Sequence, residues 1–519
     1  MTATLPPSAA RSTARPEPAK RRRAETDWHA SGRLASAAAR GGLVTALGTW
    51  ARCAVQLVTV IGVTRALGPS QYGFAAVVIV YNAGTELIRG SGLASAVIQR
   101  KRVPHGSAST VHYLNCALGV LLTAVLMAAA PAISTVFGMG HATRDVALLA
   151  LVFLLAGPAA VPAALLARNL AFGRLAAVEF TAVVASCGTA LALAAGGAGS
   201  SALVAQALVA SALSCVGTLL VCPWRPGRPA PWRTVRGYAA FGANVAGVQA
   251  LNLLTRSVDK ALVGGFFGPV SAALYTQAGQ LLLLPLEQVA TPMQRVAVPA
   301  LSRVHGNRDA FRHCYRTLVS LVGYILWPMF ITLAVLADAI VEALFGSEWA
   351  AAAELFRILV IAGVAQVLGH VTAWVFVASG QVRRQTLWAV TTRPLVIGSF
   401  FIGIPWGVRG MALSYALASL AMVLPGFLVV RRGAGLAVSD LLRAVLRPAL
   451  LSTAVGVVLL ATVALVDPRQ GWPALFGCAA TAVLTAVGLT LVIPSVRAEL
   501  AGVIGLLRRA PVPAEKVPS

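Results

Sequence analysis

The chain is poor in charged residues and contains no closely spaced pair of cysteines. Of its 519 residues, 11% are Asp, Glu, Lys or Arg, against roughly 25% in an ordinary soluble domain. The seven cysteines lie singly, with no matching histidine spacing, which argues against zinc sites and disulfides. These shortages exclude a soluble globular enzyme and a disulfide-stabilised secreted domain.

Motifs that carry catalysis or bind nucleotides are also missing. There is no G-x-x-x-x-G-K-[ST] loop to hold ATP, no G-x-S-x-G or H-E-x-x-H signature, and no carboxylate-rich loop to hold a metal. The basic segments contain few aromatic residues and no nucleic-acid recognition pattern. We therefore expect no enzyme activity, no cofactor or metal, and no nucleic-acid partner.

Apolar residues dominate the chain instead. They make up 58% of it and recur in runs of roughly 20 residues, the length that spans a bilayer as a helix. A sliding window predicts an all-α integral membrane protein with about 14 transmembrane helices. The predicted spans lie near 42–67, 72–98, 109–137, 145–167, 175–196, 201–222, 238–262, 269–299, 319–345, 354–379, 386–405, 409–430, 448–466 and 473–494.

The basic residues support this division of the chain. The 42 Lys and Arg residues greatly outnumber the 17 Asp and Glu residues, and most of them lie in the two tails and in every second turn between spans. The opposite turns contain only Arg144, Arg409 and Arg469. Because cytoplasmic loops concentrate Lys and Arg, we expect a cell-membrane protein with both termini cytoplasmic. Arg65, near the end of the first span, is expected to extend to the membrane interface.

A weak internal repeat relates the first and seventh spans. The segments VTRALGPSQYGFAA (63–76) and VDKALVGGFFGPVSAALY (258–275) each place a cation and Ala-Leu before a Gly/Pro turn. This predicts two six-helix lobes in a parallel pseudo-repeat, with a site between them at the midplane. The predicted divisions are a disordered basic cytoplasmic tail (1–41), an N-lobe (42–222), a cytoplasmic linker (223–237), a C-lobe (238–430), a second cytoplasmic linker (431–447), two further helices (448–494) and a cytoplasmic tail (495–519).

Polar side chains recur along one face of spans one, two, seven and eight. An ionisable group at bilayer depth costs at least ~2.5–3.5 kcal/mol, so it usually faces the bundle interior or water. We therefore predict a net positive cavity that suits an anionic, sugar-bearing cargo, since Arg binds phosphate bidentately and amides bind sugars. The predicted substrate-binding residues are Arg52, Gln56, Asn82, Arg89, Asn252, Arg256, Lys260, Gln280 and Arg295, and the predicted coupling or ion-pair carboxylates are Glu86, Asp259 and Glu287.

A second interpretation of the same charges remains open. Glu86 and Arg89, and Asp259 with Arg256 or Lys260, have the spacing of pairs within one helix. The two charges of such a pair would neutralise each other, and the pair would bind no cargo.

Five segments resemble a known family. They are ALGPSQYGFAA (66–76), RGSGLASAVIQRKR (89–102), DKALVGGFFGPVSAALYTQA (259–278), VPALSRVHGNRDAFRHCYR (298–316) and LFGSEWAAAAELFRILVIAG (344–363). Together they resemble the polysaccharide-biosynthesis and lipopolysaccharide repeat-unit flippases of the multidrug/oligosaccharidyl-lipid/polysaccharide exporter superfamily. The resemblance covers roughly 42–430.

The resemblance implies a two-lobed bundle that alternates between inward-open and outward-open forms. It implies as cargo an undecaprenyl-pyrophosphate-linked oligosaccharide, moved from the inner to the outer leaflet for polysaccharide biosynthesis. It also implies that cavity cations, here Arg52, Arg89, Arg256 or Lys260, bind the pyrophosphate, and that helices 448–494 serve the lipid tail. Expected partners are this lipid-linked oligosaccharide, membrane lipids, and a polysaccharide polymerase and glycosyltransferases.

Two other functions within the same superfamily remain open. A drug or metabolite antiporter would favour a carboxylate-dominated cavity and usually twelve spans. A flippase for the peptidoglycan precursor is poorly separated from the first interpretation by sequence alone.

Overall fold

The structure, a computed structural model, is built of helices. It describes residues 51–89, 104–169, 171–492 and 497, without the side chains of 86–89, 141, 172, 232–256, 382 and 432–433. None of these residues lies in a β-strand. The α-helices are α1 (Ala51–Tyr72), α2 (Ala75–Arg89), α3 (His105–Val136), α4 (Thr143–Leu149), α5 (Leu151–Arg168), α6 (Phe172–Ala195), α7 (Ser201–Val221), α8 (Trp232–Arg303), α9 (Arg308–Val335), α10 (Ala337–Phe345), α11 (Ala350–Ala378), α12 (Val382–Gly403), α13 (Gly407–Ala421), α14 (Val423–Ala434), α15 (Val438–Leu465) and α16 (Trp472–Val492).

The helices confirm a multi-pass membrane protein. Each predicted span overlaps one helix or two consecutive helices, and α8 contains two spans because its chain reverses at Gly268. In the described part of the chain, 10 helices are long and apolar enough to cross a membrane. One of these stretches, Arg383–Arg431, covers two predicted spans. The count of fourteen therefore stays a prediction.

Helix ends differ from the predicted boundaries where the sequence is basic. α8 begins at Trp232 rather than at 238, and α14 and α15 are separated by 435–437 rather than by a linker over 431–447. Arg is a good helix former whose long side chain reaches water from a helix end, so a helix can continue past the apolar run. The predicted tail 1–41 and nearly all of 495–519 lie outside the described residues.

Repeated turns give the two lobes the same geometry. Gly68 and Gly268 both have positive φ (65° and 82°), and each precedes a proline. Glycine adopts this conformation without steric cost, and proline is well suited to begin the next helical segment. Phe-Gly pairs at 137–138 and 345–346 form a second matched turn, since both glycines have positive φ and a short 3-10 helix follows each. These turns support the predicted parallel pseudo-repeat.

Packing divides the helices into two lobes and an accessory pair. In the N-lobe, α3 packs on α5 and α6 packs on α7; in the C-lobe, α11 packs on α8, α9 and α13. The lobes meet where α8 contacts α2 and α3. The accessory pair, α15 and α16, packs on α9 and α10 through an apolar cluster that includes Tyr324, Leu336 and Leu451. Its outward-facing residues, among them Leu446 and Phe476, are apolar and exposed, as expected for a surface in lipid.

Two ends of the bundle differ in charge. The turns at one end hold the basic stretches near 168–174, 225–236 and 303–316 and are called here the arginine-rich end. The turns that follow α1, α3, α6 and α10 lie at the other end, the arginine-poor end. These two names are used for the description of the cavity below.

Candidate functional site

A cavity of about 710 Å³ lies between the two lobes. The N-lobe contributes residues of α1, α2, α6 and α7, and the C-lobe contributes the part of α8 after Gly268 and the end of α10. Carboxamide groups are its most frequent polar feature. They belong to Gln56, Asn82, Gln206, Gln277, Gln280 and Gln288.

The described part of the cavity wall carries no formal charge. None of its lining residues is Asp, Glu, Lys, Arg or His; besides the carboxamides it has Ser186, Tyr72 and the thiols of Cys53 and Cys187, and the rest is apolar. Carboxamides both donate and accept hydrogen bonds. The wall can therefore bind groups that do the same, such as hydroxyls, without a change of protonation.

Three of the predicted binding residues, Gln56, Asn82 and Gln280, line this cavity. Arg52 lies next to the lining residue Cys53, toward the arginine-rich end, and its guanidinium forms an ion pair with Glu179 on α6. Both side chains of this pair are partly exposed. The pair thus lies at the rim of the cavity and joins α1 to α6.

The other predicted charges whose side chains the structure describes are not among the lining residues. Lys260 Nζ is 3.2 Å from each carboxylate oxygen of Asp259, so these two neighbours form the local pair that the second interpretation of the sequence expects. Glu287 and Arg295 are exposed on α8. The side chains of Glu86, Arg89, Asn252 and Arg256 lie outside the described residues.

Sequence reasoning missed half of the carboxamides. Gln206, Gln277 and Gln288 line the cavity but were not predicted, because the search favoured ionisable groups and the faces around them. A usable signal was present, since each is a carboxamide inside an apolar span, where an unpaired amide is costly. Gln288 donates to Cys53 Sγ at 3.0 Å and Gln206 to Cys187 Sγ at 3.8 Å; such contacts with thiols cannot be read from sequence.

Contacts between the lobes close the arginine-poor end. The Nε atom of Arg65 donates to the carbonyl of Leu344 at 2.8 Å, and a second guanidinium nitrogen donates to the carbonyl of Ala343. These carbonyls end α10, where a helix has unsatisfied acceptors and a partial negative charge. Arg65 is exposed, and the expectation that it extends to the membrane interface stays a prediction.

Close packing adds to this closure. The rings of Tyr72 and Trp349 meet edge to face, with centroids 5.4 Å apart. The turn before α2 lies against the Gly268 turn so closely that a Cβ atom on Gly73 would be 2.5 Å from the carbonyl oxygen of Pro269. Tyr72, Leu344 and Phe345 are themselves part of the cavity lining, so the contacts between the lobes form its floor at this end.

A family of polysaccharide biosynthesis proteins matches residues 63–354, which is more than half of the chain. The chain belongs to this polysaccharide biosynthesis family. The matched range begins within α1 and contains all of α2 to α10, the Gly268 turn and most of the cavity lining.

Relatives within the polysaccharide biosynthesis family cover most of the chain. The teichuronic acid biosynthesis protein TuaB of Bacillus subtilis is 25% identical over 376 residues, 72% of this chain and 78% of TuaB. The lipopolysaccharide biosynthesis protein WzxC of Escherichia coli is 23% identical over 380 residues, 72% of this chain and 77% of WzxC. Among solved structures, the lipid II flippase MurJ in an inward closed conformation has a TM-score of 0.67 at 14% identity, covering 86% of this chain and 97% of MurJ; this likeness concerns the fold.

Proposed function

We propose that the protein is a flippase that moves an undecaprenyl-pyrophosphate-linked oligosaccharide from the inner to the outer leaflet for polysaccharide biosynthesis. The observation that carries the proposal is a cavity with six carboxamide side chains between the two lobes of a bundle of apolar helices. The relatives named for teichuronic acid and lipopolysaccharide biosynthesis support a glycan as cargo. The fold shared with a lipid II flippase supports transfer of a lipid-linked molecule.

The cavity answers the physical problem of this transfer. A glycan headgroup cannot cross hydrocarbon unaided, because each desolvated polar group costs kilocalories, whereas the polyprenyl tail stays in lipid throughout. Carboxamides at mid-membrane depth replace the water that the sugar loses. The pyrophosphate would lie near the rim, where Arg52 offers a guanidinium.

The contacts at the arginine-poor end support an alternation between two forms. The charge distribution supports an orientation with this end outside. In the present form the Arg65 contacts and the Tyr72–Trp349 packing close it. An outward-open form requires that these contacts break and that the lobes separate there. The accessory pair α15–α16 would stay with the C-lobe and provide a lipid-facing surface for the tail.

The membrane potential can drive the step. With the cell interior negative, an outward-moving pyrophosphate with two charges gains about 4–5 kcal/mol per 100 mV. Hydrolysis of ATP is therefore not needed to drive the step. A polymerase and glycosyltransferases would supply and consume the cargo on the two sides of the membrane.

The neutral lining disfavours the antiporter alternative. An antiporter that exchanges ions for drugs needs titratable or ion-binding carboxylates in its cavity, and the described lining contains none. A peptidoglycan-precursor flippase would have the same kind of cavity. Only the identity of the transported cargo distinguishes that function from the proposed one.

Reconstitution tests the proposal directly. The purified chain is placed in proteoliposomes with fluorescent undecaprenyl-pyrophosphate-linked glycans, and a membrane-impermeant reductant bleaches the label in the outer leaflet. We expect the protein to move the labelled repeat-unit lipid from the inner to the outer leaflet, so that the reductant bleaches the inner-leaflet pool as well. Transfer of lipid II should be slower. In protein-free liposomes the inner-leaflet pool should stay protected. Faster transfer of lipid II would favour the alternative flippase, and no transfer of either would contradict the proposal.

A further inference from the structure

We propose that the carboxamide cavity is a subsite for the neutral sugar part of the cargo and that it recognises sugar hydroxyls rather than the pyrophosphate. This inference rests on the proposed function, which it refines. Its first support is the composition of the wall where side chains are described: six carboxamides, and no charged side chain among the described lining residues. A phosphate group placed there would leave its charge without a counter-charge in a low-dielectric site, which is strongly unfavourable.

Gln277 provides the second and independent support. Its side chain is 1% exposed, it lines the cavity, and its Oε1 atom has no hydrogen-bond partner among the described residues. Buried acceptors are nearly always paired, because an unpaired one costs free energy. A group that donates a hydrogen bond into the cavity is therefore missing, and a sugar hydroxyl supplies one.

Two further glutamines are oriented for the same task. The amide nitrogen of Gln288 donates to Cys53 Sγ at 3.0 Å, and that of Gln206 to Cys187 Sγ at 3.8 Å. Because the thiols hold the nitrogen side of each carboxamide, the oxygen side is available to accept. Gln206, Gln277 and Gln288 thus present acceptor oxygens from both lobes to one ligand.

The cavity volume fits this class of ligand. At about 710 Å³ it lies within the range of about 300–1,000 Å³ that small-molecule sites occupy. It accommodates one or a few sugar rings and excludes a long repeat unit. The subsite would then contact the sugars nearest the lipid, and the outer sugars would extend toward the arginine-rich end.

Cys53 provides a reporter for the test. The full-length protein is reconstituted in nanodiscs, and alkylation of Cys53 by N-ethylmaleimide is followed by peptide mass spectrometry. The probes are the lipid-linked glycan fraction extracted from cells that express the gene and undecaprenyl pyrophosphate without sugar. Cys116 on α3, which has similar exposure but lies outside the cavity lining, is the internal control.

We expect the glycan fraction to slow alkylation of Cys53 about tenfold at ten times its Kd, and undecaprenyl pyrophosphate to have no such effect. Gln277→Leu should abolish this protection, Gln277→Glu should retain part of it because an acceptor remains, and Gln470→Leu, in an exposed turn, should leave it unchanged. The comparison of the two probes on the wild-type protein needs no substitution, so a misfolded variant cannot obscure the result.

Two outcomes would overturn the subsite. Equal protection by undecaprenyl pyrophosphate would place the phosphate end in the cavity. Absence of protection by the glycan fraction, while the same preparation transfers the fluorescent cargo in proteoliposomes, would place sugar recognition elsewhere and leave the flippase proposal intact. Absence of both protection and transfer would contradict the function and the subsite together.

Discussion

At the level of single residues, the uncharged side chains of the cavity and the charged side chains at its rim have different proposed roles. The carboxamides line the cavity, whereas Arg52 lies at its rim in an ion pair with Glu179. A partly exposed pair of this kind contributes only about 0–1 kcal/mol to stability. Its guanidinium can therefore exchange the Glu179 carboxylate for a phosphate at little cost.

Two substitutions separate a cargo-binding role of Arg52 from a structural one. We predict that Arg52→Gln lowers the translocation rate in proteoliposomes about tenfold, since one charge-assisted contact to the pyrophosphate is lost. Glu179→Gln should change the rate by less than about twofold, because it removes only a competing acceptor.

The melting temperature of each variant in detergent serves as the control for folding. A purely structural pair would make both substitutions equally harmful to the rate and to the melting temperature. Such a result would contradict the assignment of Arg52 to the cargo.

At the element scale, matched turns decide how the lobes meet. The turn before α2 can approach the Gly268 turn because Gly73 has no Cβ atom to strike the carbonyl oxygen of Pro269. The same region holds the Arg65 contacts with the end of α10. Closure of the arginine-poor end thus depends on backbone proximity as well as on a cation at a helix terminus.

We predict that Gly73→Ala favours the outward-open form. Its methyl group would lie 2.5 Å from a backbone oxygen that cannot move aside, so the lobes must separate at this end. Spin labels at Ala198→Cys and Ser347→Cys, one on each lobe at the arginine-poor end, should report a longer distance by electron paramagnetic resonance.

Gly279→Ala is the matched control, because its added methyl group meets nothing within 4 Å. It should leave the distance distribution unchanged. An unchanged distribution for Gly73→Ala as well would show that this close approach does not govern closure.

The accessory pair is attached to the C-lobe by a buried carboxylate. Asp440, at the start of α15, is 1% exposed; it accepts a hydrogen bond from Arg316 Nε at 2.8 Å and lies 3.5 Å from Arg312 Nε. It also accepts from the backbone N–H of Ala437 at 2.7 Å, which begins the helix. One side chain thus caps α15 and joins it to α9.

We predict that Asp440→Asn destabilises the protein by about 1–3 kcal/mol, since a buried, charge-assisted hydrogen-bond network loses its charge. The melting temperature in detergent should fall measurably. Asp467→Asn, an exposed turn residue, should have little effect, and equal melting temperatures for the two variants would contradict the attachment.

The sequence was most informative about elements and least informative about pairing. Apolar runs of bilayer length predicted where the helices lie, and the Gly/Pro turns predicted the repeat, because both depend on local chemistry. The site was only partly predictable. Gln56, Asn82 and Gln280 were found as polar residues in apolar spans. The partner of Arg52 is 127 residues away along the chain, and contacts at that separation depend on how helices pack.

At the scale of the whole molecule, a charge pattern, a repeat and a cavity combine into one transport cycle. In the proposed cycle, the two lobes would provide the symmetry that alternation needs, the arginine-poor end would be the closed outer gate, and the cavity would be a path for sugars. The accessory pair adds a lipid-facing surface beside the C-lobe. Each part is ordinary for a membrane bundle, and together they fit the proposed lipid-linked glycan cargo.

The leaflet in which lipid-linked glycan accumulates shows whether the protein acts as a flippase in cells. The gene is deleted, and a membrane-impermeant glycan-modifying reagent is applied to intact cells and to inverted membrane vesicles. The account predicts that lipid-linked oligosaccharide accumulates on the cytoplasmic leaflet, is modified only in inverted vesicles, and returns to the outer leaflet when the wild-type gene is restored. An unchanged distribution of every lipid-linked glycan between the two leaflets would contradict the flippase function.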